Sequence, residues 1–366
     1  MQGSKRGMPD FVIFFVTLLL LTIGIVMVFS ASAVSAYLDW GDSFYYLKRQ
    51  LRWALVGIVI MIGLMNFNYY RIRRYANLGL LFSLMLLVLV LFVGTVSHGS
   101  SRWLNLGFVS FQPSELIKLL LVIFMAKSLS DHQEEVQNFF KGVLPHIAII
   151  GLVCLLILLQ PDLGTAVSIA GTAYLMLIAA GARVSHLVIL ALVGAALVPA
   201  AIVMEPYRLK RITAFLNPWA DPTDSGFQII QSLLALGSGG LMGMGLGQSR
   251  QKFFYLPERH TDFIYAILGE ELGFIGASFV LLLFAIFLWR GFKVALSVRD
   301  NFGSLLAVGI TSMIIFQMII NIGVVTGSMP VTGITLPLIS YGGSSLVFTL
   351  AGIGILLNIS RFAAVK

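Results

Sequence analysis

The chain has 366 residues, 58% of them hydrophobic and 11% charged, and Lys and Arg outnumber Asp and Glu by 24 to 16 for a formal net charge of +8. Such apolar content, gathered in runs that each match a hydrocarbon core, excludes a soluble globular enzyme and predicts an all-α polytopic membrane protein. The single cysteine, Cys154, lies inside an apolar run and excludes a disulfide framework or a thiolate metal cluster. The basic residues sit in short loops rather than on one stripe, which argues against nucleic acid as a partner.

Apolar runs and their polar breaks predict ten spans, at about 11–31, 51–66, 76–95, 114–130, 145–160, 163–181, 185–204, 262–289, 303–326 and 340–360. An even number puts both termini on one side. The first run follows Lys5 and Arg6 as a signal peptide would, but it is too long for an h-region and is read as a retained helix. With the N-terminus inside, the short cytoplasmic segments hold Lys5, Arg6, Arg71, Arg73, Arg74, Lys127, Lys141, Arg183, Arg290, Lys293, Arg299, Arg361 and Lys366. The short external loops hold Lys48, Arg49, Arg52 and Arg102. The bias places both termini in the cytoplasm. Tyr69 to Tyr75, with Arg71, Arg73 and Arg74, reads as an aromatic and basic anchor.

The fourth span opens Phe111-Gln-Pro-Ser-Glu-Leu-Ile-Lys118, with Pro113 and Ser114 as helix-start signals and Glu115 and Lys118 three apart on one face. They read either as an ion pair that hides two charges or as functional groups at the outer end of the helix. Residues 128–141, with Asp131, Glu134 and Glu135, read as a solvated inner loop. Gln160-Pro161-Asp162 is a tight outer hairpin with a carboxylate at its tip.

A long segment, 205–261, follows the seventh span. Its stretch Gly226–Gly247 is long enough to cross but carries seven glycines, and a crossing there would spoil the charge bias. The whole segment is therefore predicted to be external, lying on or dipping into the interface. It is basic at Arg208, Lys210 and Arg211, and again at Arg250, Lys252 and Arg259. Those cations suit a substrate carrying phosphate or, equally, anionic lipid head groups. His260 with Asp262 invites a metal-ligand reading, but without further His or Cys nearby a zinc site is rejected. Asp262 stands where the polar segment meets an apolar helix. It is either an N-cap or a functional carboxylate at the helix mouth. Glu270, eight residues on, is expected on the same face, supporting it or pairing elsewhere, with Glu271 beside it. Pro330 and Pro337 with Gly327, Gly333, Gly342 and Gly343 predict non-helical backbone that is buried or lines a wet cavity. His98, His132, His146 and His186 carry no site signal, and neither a tandem repeat nor a Walker or dinucleotide glycine motif is found.

With FQPSELIK, QPDLGT, PERHTDFIYAILGEELG and PLISYGGSS in that order, the chain resembles the SEDS family (shape, elongation, division, sporulation) over nearly its whole length, most closely the FtsW and SpoVE type of its division and sporulation branch. The resemblance implies a single membrane domain over 1–366 and a peptidoglycan glycosyltransferase that polymerises lipid II at the outer face of the bacterial plasma membrane. It implies an essential aspartate at Asp262, matching positions at Glu115 and Lys118, and a class B penicillin-binding protein as partner. It leaves room for a divalent cation, Mg or Mn, although the sequence offers no cage for one. In Ser100-Ser101-Arg102-Trp103 the chain departs from a pattern with a second basic residue. The chemistry expected is proton removal from the acceptor sugar's 4-hydroxyl by Asp262. The substrate site would draw on Glu115, Lys118, Arg102, Asp162, Arg208, Arg211, Lys252 and His260, the cations among them facing the pyrophosphate leaving group and Glu270 behind them. A lipid II flippase and a scaffold for cell-wall synthases are the competing readings. Charges gathered at the outer ends of helices, rather than at the midplane, weigh against the flippase.

Overall fold

The computed structural model describes residues 7–97, 100–105, 110–253 and 255–363. Lys5, Arg6, His98 and Lys366 lie outside the described residues. Twelve α-helices dominate what is described: α1 Phe11–Trp40, α2 Tyr45–Asn66, α3 Tyr69–Val93, α4 Pro113–Asp131, α5 Leu144–Leu158, α6 Leu163–Ala179, α7 Val184–Val203, α8 Pro206–Leu216, α9 Phe227–Gly239, α10 Ile264–Ser297, α11 Asn301–Val325 and α12 Gly343–Ser360. Seven stretches are long and apolar enough to cross a membrane: α1, α3, Phe139–Leu158 (α5 with the π-helical turn before it), α7, α10, α11 and α12. The chain is therefore a multi-pass membrane protein.

Helix boundaries follow local chemistry. Asp10 caps α1 by accepting from the amides of Val12 and Ile13 at 3.0 and 3.1 Å, and Gly41, at φ 70°, ends that helix. Asp162 caps α6 through the Thr165 amide at 3.0 Å, Asp300 caps α11 through Gly303 at 2.7 Å, and Pro113 occupies the first turn of α4. At the end of the bundle where α1 begins, Asp10 pairs with Arg290 and the Gly7 amide donates to the Arg361 carbonyl, joining both ends of the chain. The core centres on α11 and α12, the most enclosed of the seven long stretches. Helix α7 is the opposite case: Leu187 is its one buried residue.

Two features depart from the sequence reading. A small antiparallel sheet, β1 Thr95–Ser97, β2 Ser100–Asn105 and β3 Ser110–Phe111, joins α3 to α4, so the architecture is not purely helical. The run of residues expected as one helix from 262 is also broken. Gly273, at φ 67°, kinks α10, and residues 240–245 lie against the kink, with Met244 and Gly245 donating to the carbonyls of Glu270 and Glu271 at 2.9 and 3.0 Å, and Phe274 donating to that of Gly240 at 2.8 Å. A Cβ on Gly273 would stand 2.3 Å from the Gly243 nitrogen, and one on Gly243 would stand 2.2 Å from the Glu271 oxygen. Two backbones touch there, which accounts for glycines in a stretch that otherwise looks like a poor helix. The one helix inside that stretch, α9, has 13 residues and rises about 20 Å, short of a bilayer core.

Candidate functional site

Asp262 precedes α10 but does not cap it: the capping position is Phe263, with no side-chain bond to the helix amides. The backbone around it is pinned instead by the elements that follow in sequence. Three consecutive carbonyls each accept one hydrogen bond: His260 from the Tyr341 amide at 2.9 Å, Thr261 from Ser340 Oγ at 2.6 Å, and Asp262 from Asn321 Nδ2 at 2.7 Å. Asn321 Nδ2 also donates to the Ile334 carbonyl at 2.7 Å, tying α11, the 331–342 loop and the Asp262 segment together.

The half-buried Asp262 carboxylate makes no hydrogen bond to any described residue, and Oδ2 lies 3.5 Å from the point where a Cβ on Gly333 would stand. A Cβ there would only touch that oxygen at van der Waals distance; what favours glycine at 333 is its φ of 80°. Burial pushes the Asp262 pKa up to about 7, helped by the Glu258 charge and opposed by Arg211. Asp162 and Arg102 act on it more weakly, with opposite signs.

The neighbouring cations are partly committed. Arg102, on β2, donates Nε to the Gln160 carbonyl at 3.0 Å and a second guanidinium nitrogen to that of Pro161, and lies 3.6 Å from Asp162. Tyr207 also donates to the Pro161 carbonyl, at 2.9 Å, so the expected hairpin is held from two sides. Arg208 is buried and donates to the carbonyls of Ala201 and Leu158 at 2.8 and 3.5 Å, where the last turns of α7 and α5 present unpaired acceptors. Arg211 donates one nitrogen to the Val331 carbonyl at 3.0 Å and lies over the Tyr207 ring; the rest of its exposed guanidinium makes no hydrogen bond to a described residue, and its charge acts on Asp262.

An apolar cleft lined by α5, α6 and α7 runs up to these arginines. A cavity of about 280 Å³ between α5, α6 and α7 meets a second of about 190 Å³ at Leu163, Val167 and Val198, and the second reaches Tyr207, Arg208, Arg211 and Thr332.

Other residues singled out in the sequence lie elsewhere. Glu115 and Lys118 form a buried pair at 2.7 Å in α4, whose Lys118 borders a void of about 10 Å³ with Ser168 and Thr172, room for one water. Lys252 pairs with Glu271 at 3.0 Å and donates to the Gly247 carbonyl at 2.6 Å, away from the Asp262 cluster. Glu270 accepts from Ser249 Oγ and the amides of Arg250 and Gln251, anchoring that turn rather than backing Asp262. The eight-residue spacing misleads because Asp262 lies outside the helix that carries Glu270. His260 is enclosed between the rings of Tyr46 and Tyr341, at 4.6 and 5.6 Å, and burial lowers its pKa to about 4, so it is neutral at physiological pH. Among the described residues no group of three or more His, Cys, Asp or Glu is placed to hold a metal, so the side chains do not fit a protein-built cation site and no step below runs through one. The reading of the sequence passed over Asn321, Ser340, Tyr341 and Tyr207. For Asn321 the available signal was a carboxamide inside an apolar span, shared with Gln317 one turn before it.

A bundle of helices long and apolar enough to cross a membrane, with arginines, an apolar cleft and a carboxylate that has no hydrogen-bond partner among the described residues, defines a polytopic membrane protein. The chain belongs to the FtsW/RodA/SpoVE family of cell cycle proteins, whose model it matches over residues 10–365. It is 53% identical over 362 residues to stage V sporulation protein E of Bacillus subtilis, covering 98% of this chain and 99% of that one. It is 46% identical over 354 residues to the probable peptidoglycan glycosyltransferase FtsW of Geobacter sulfurreducens, covering 96% and 95%. Among solved structures it is similar to a chain of a peptidoglycan synthase complex, with TM-score 0.81, 34% identity and 98% and 99% of the two chains covered. The rod shape determining protein RodA of Thermus thermophilus matches with TM-score 0.73, 32% identity and 98% of each chain covered.

Proposed function

We propose that this chain is a peptidoglycan glycosyltransferase that polymerises lipid II at the outer face of the bacterial plasma membrane, with Asp262 as its general base. The observation that carries the reading is the apolar cleft that ends at Arg208 and Arg211, beside a carboxylate with no hydrogen-bond partner among the described residues. A polyprenyl chain fits the cleft and its pyrophosphate meets the arginines. The family relatives named as glycosyltransferases support the same chemistry.

In this mechanism Asp262 takes the proton of the acceptor's 4-hydroxyl as that oxygen attacks the donor's anomeric carbon, inverting it, and the pyrophosphate leaves with its charge stabilised chiefly by Arg211. A pKa of about 7 suits a base working near neutral pH. Arg102, Asp162 and Arg208 fix the hairpin and helix ends that frame the site, and Glu115 and Lys118 lie buried in α4. The topology proposed is ten crossings, α1 to α7 and α10 to α12, with both termini cytoplasmic and 205–261 external. The basic residues of the loops support that orientation. A class B penicillin-binding protein is the partner proposed, in keeping with the similarity to a synthase-complex chain.

The test is glycan polymerisation from purified lipid II by the detergent-solubilised chain, with and without its cognate transpeptidase. Polymer is expected, and more of it with the partner bound. No polymer from a folded complex, together with lipid II movement across vesicles, would transfer the reading to a flippase.

The carbonyl clamp gives a second expected result. Asn321→Ala removes donors to two carbonyls, and a buried acceptor left without a partner costs about 1–3 kcal/mol. The loss should appear as a kcat at least tenfold lower with KM within about twofold, because the change moves Asp262 and not the cleft. An unchanged kcat in a stably folded variant would show that the clamp does not position the carboxylate.

A further inference from the structure

Arg211 and Val331 border two spaces. One is the apolar cleft; the other is a recess of about 140 Å³ that they share with Lys210, Asp224, Ser225 and Gln228. The recess has firm walls. Asp221 accepts from the amide and hydroxyl of Ser225 at 3.2 and 2.9 Å, and its carbonyl accepts from the Gly226 amide at 2.9 Å. Gly226 is packed so closely that a Cβ there would stand 2.0 Å from the Pro218 oxygen. Ser225 is thus engaged, whereas the side chains of Lys210, Asp224 and Gln228 make no hydrogen bond to any described residue.

We propose that this recess binds the hexosamine that is joined directly to the donor's pyrophosphate. The inference rests on the glycosyltransferase reading and deepens it. Tail, pyrophosphate and first sugar follow one another covalently, and the protein presents apolar cleft, Arg211 and polar recess in the same spatial order. Asp224 and Gln228 offer planar acceptors and donors of the kind that pair with adjacent hydroxyls and an acetamido group. The sugar's anomeric carbon is then held next to Arg211, on which the Asp262 charge acts.

The experiment measures the affinity of the full-length, detergent-solubilised chain for two probes: lipid II, and undecaprenyl pyrophosphate, which has the tail and both phosphates but no sugar. Wild type is compared with Gln228→Leu and Asp224→Asn. Each variant is expected to bind lipid II about tenfold more weakly, the size of one lost hydrogen bond, and to bind undecaprenyl pyrophosphate as wild type does. Retained binding of the sugar-free probe also shows that the variants are folded. Equal weakening for both probes, or none for either, would overturn the sugar subsite while leaving the glycosyltransferase reading in place. Failure of wild type to bind lipid II at all would bring down that reading and the subsite with it.

Discussion

Asp262→Asn is expected to slow glycan polymerisation by 10²- to 10⁴-fold or more, the range a positioned general base contributes, while the variant stays folded. For the wild type, kcat/KM should fall about tenfold per pH unit below a midpoint near 7, because the base works only when ionised. Stability should move the other way. The folded-state pKa lies above the ordinary value of 3.8, so the fold favours the neutral acid. That advantage is full below about pH 4 and is lost as the pH rises through about 7. Asn carries no charge to bury, so the variant's melting temperature should match wild type near pH 4 and exceed it at pH 8. Thermal unfolding in detergent at those two pH values reads the difference. An active Asp262→Asn protein would remove Asp262 from the chemistry, and a variant less stable than wild type at pH 8 would show that the carboxylate has a stabilising partner after all.

Lys252→Met is expected to have the largest effect on stability. Lys252 and Glu271 are 5% and 1% exposed and meet at 3.0 Å. Removing the ammonium leaves a carboxylate buried without its counter-charge, and losses of this kind run to about 3–5 kcal/mol, whereas an exposed pair contributes about 0–1 kcal/mol. Ser30 Oγ and the Ser249 amide still donate to Glu271, so the carboxylate keeps hydrogen bonds but loses the cation. The double variant Lys252→Met with Glu271→Leu should recover most of the loss, since no buried charge remains. Denaturant unfolding of the two variants separates the cases. A single change worth less than about 1 kcal/mol would mean that the pair is hydrated and does not anchor the loop to α10.

Much of the fold was legible because the bilayer imposes a length on every crossing element. The ten expected runs overlap helices α1 to α7 and α10 to α12, and among the described residues seven stretches are long and apolar enough to cross, with boundaries shifted where Asp10, Gly41 and Gly273 set the ends or the break. Asp262 stood out for a related reason, since an ionisable residue at the mouth of an apolar helix has few neutral explanations. What the sequence hid was the pairing of charges. Lys252 and Arg211 look alike in a basic loop, yet one is paired with Glu271 and the other donates to the Val331 carbonyl and acts electrostatically on Asp262, a distinction made by tertiary structure alone. Glu270 was misplaced for a local reason: helical spacing was counted from a residue not in the helix. The sheet carrying Arg102 was missed because its strands are 3, 6 and 2 residues long, too short to show an alternating pattern.

The three carbonyl bonds at 260, 261 and 262 have a mechanical consequence. Gly273 hinges the Asp262 end of α10 away from the long membrane-spanning part, while Asn321, Ser340 and Tyr341 hold it. The Asp262 segment is therefore coupled to α11 and to the loop before α12, and a force applied there reaches it without any contact at the cleft. Ser340 and Tyr341 give their two bonds from one short loop, so a shift of about an ångström there loosens both at once, while Asn321 holds the third from α11. The Asp262 segment thus answers to two separate elements, neither of which lines the cleft at that point.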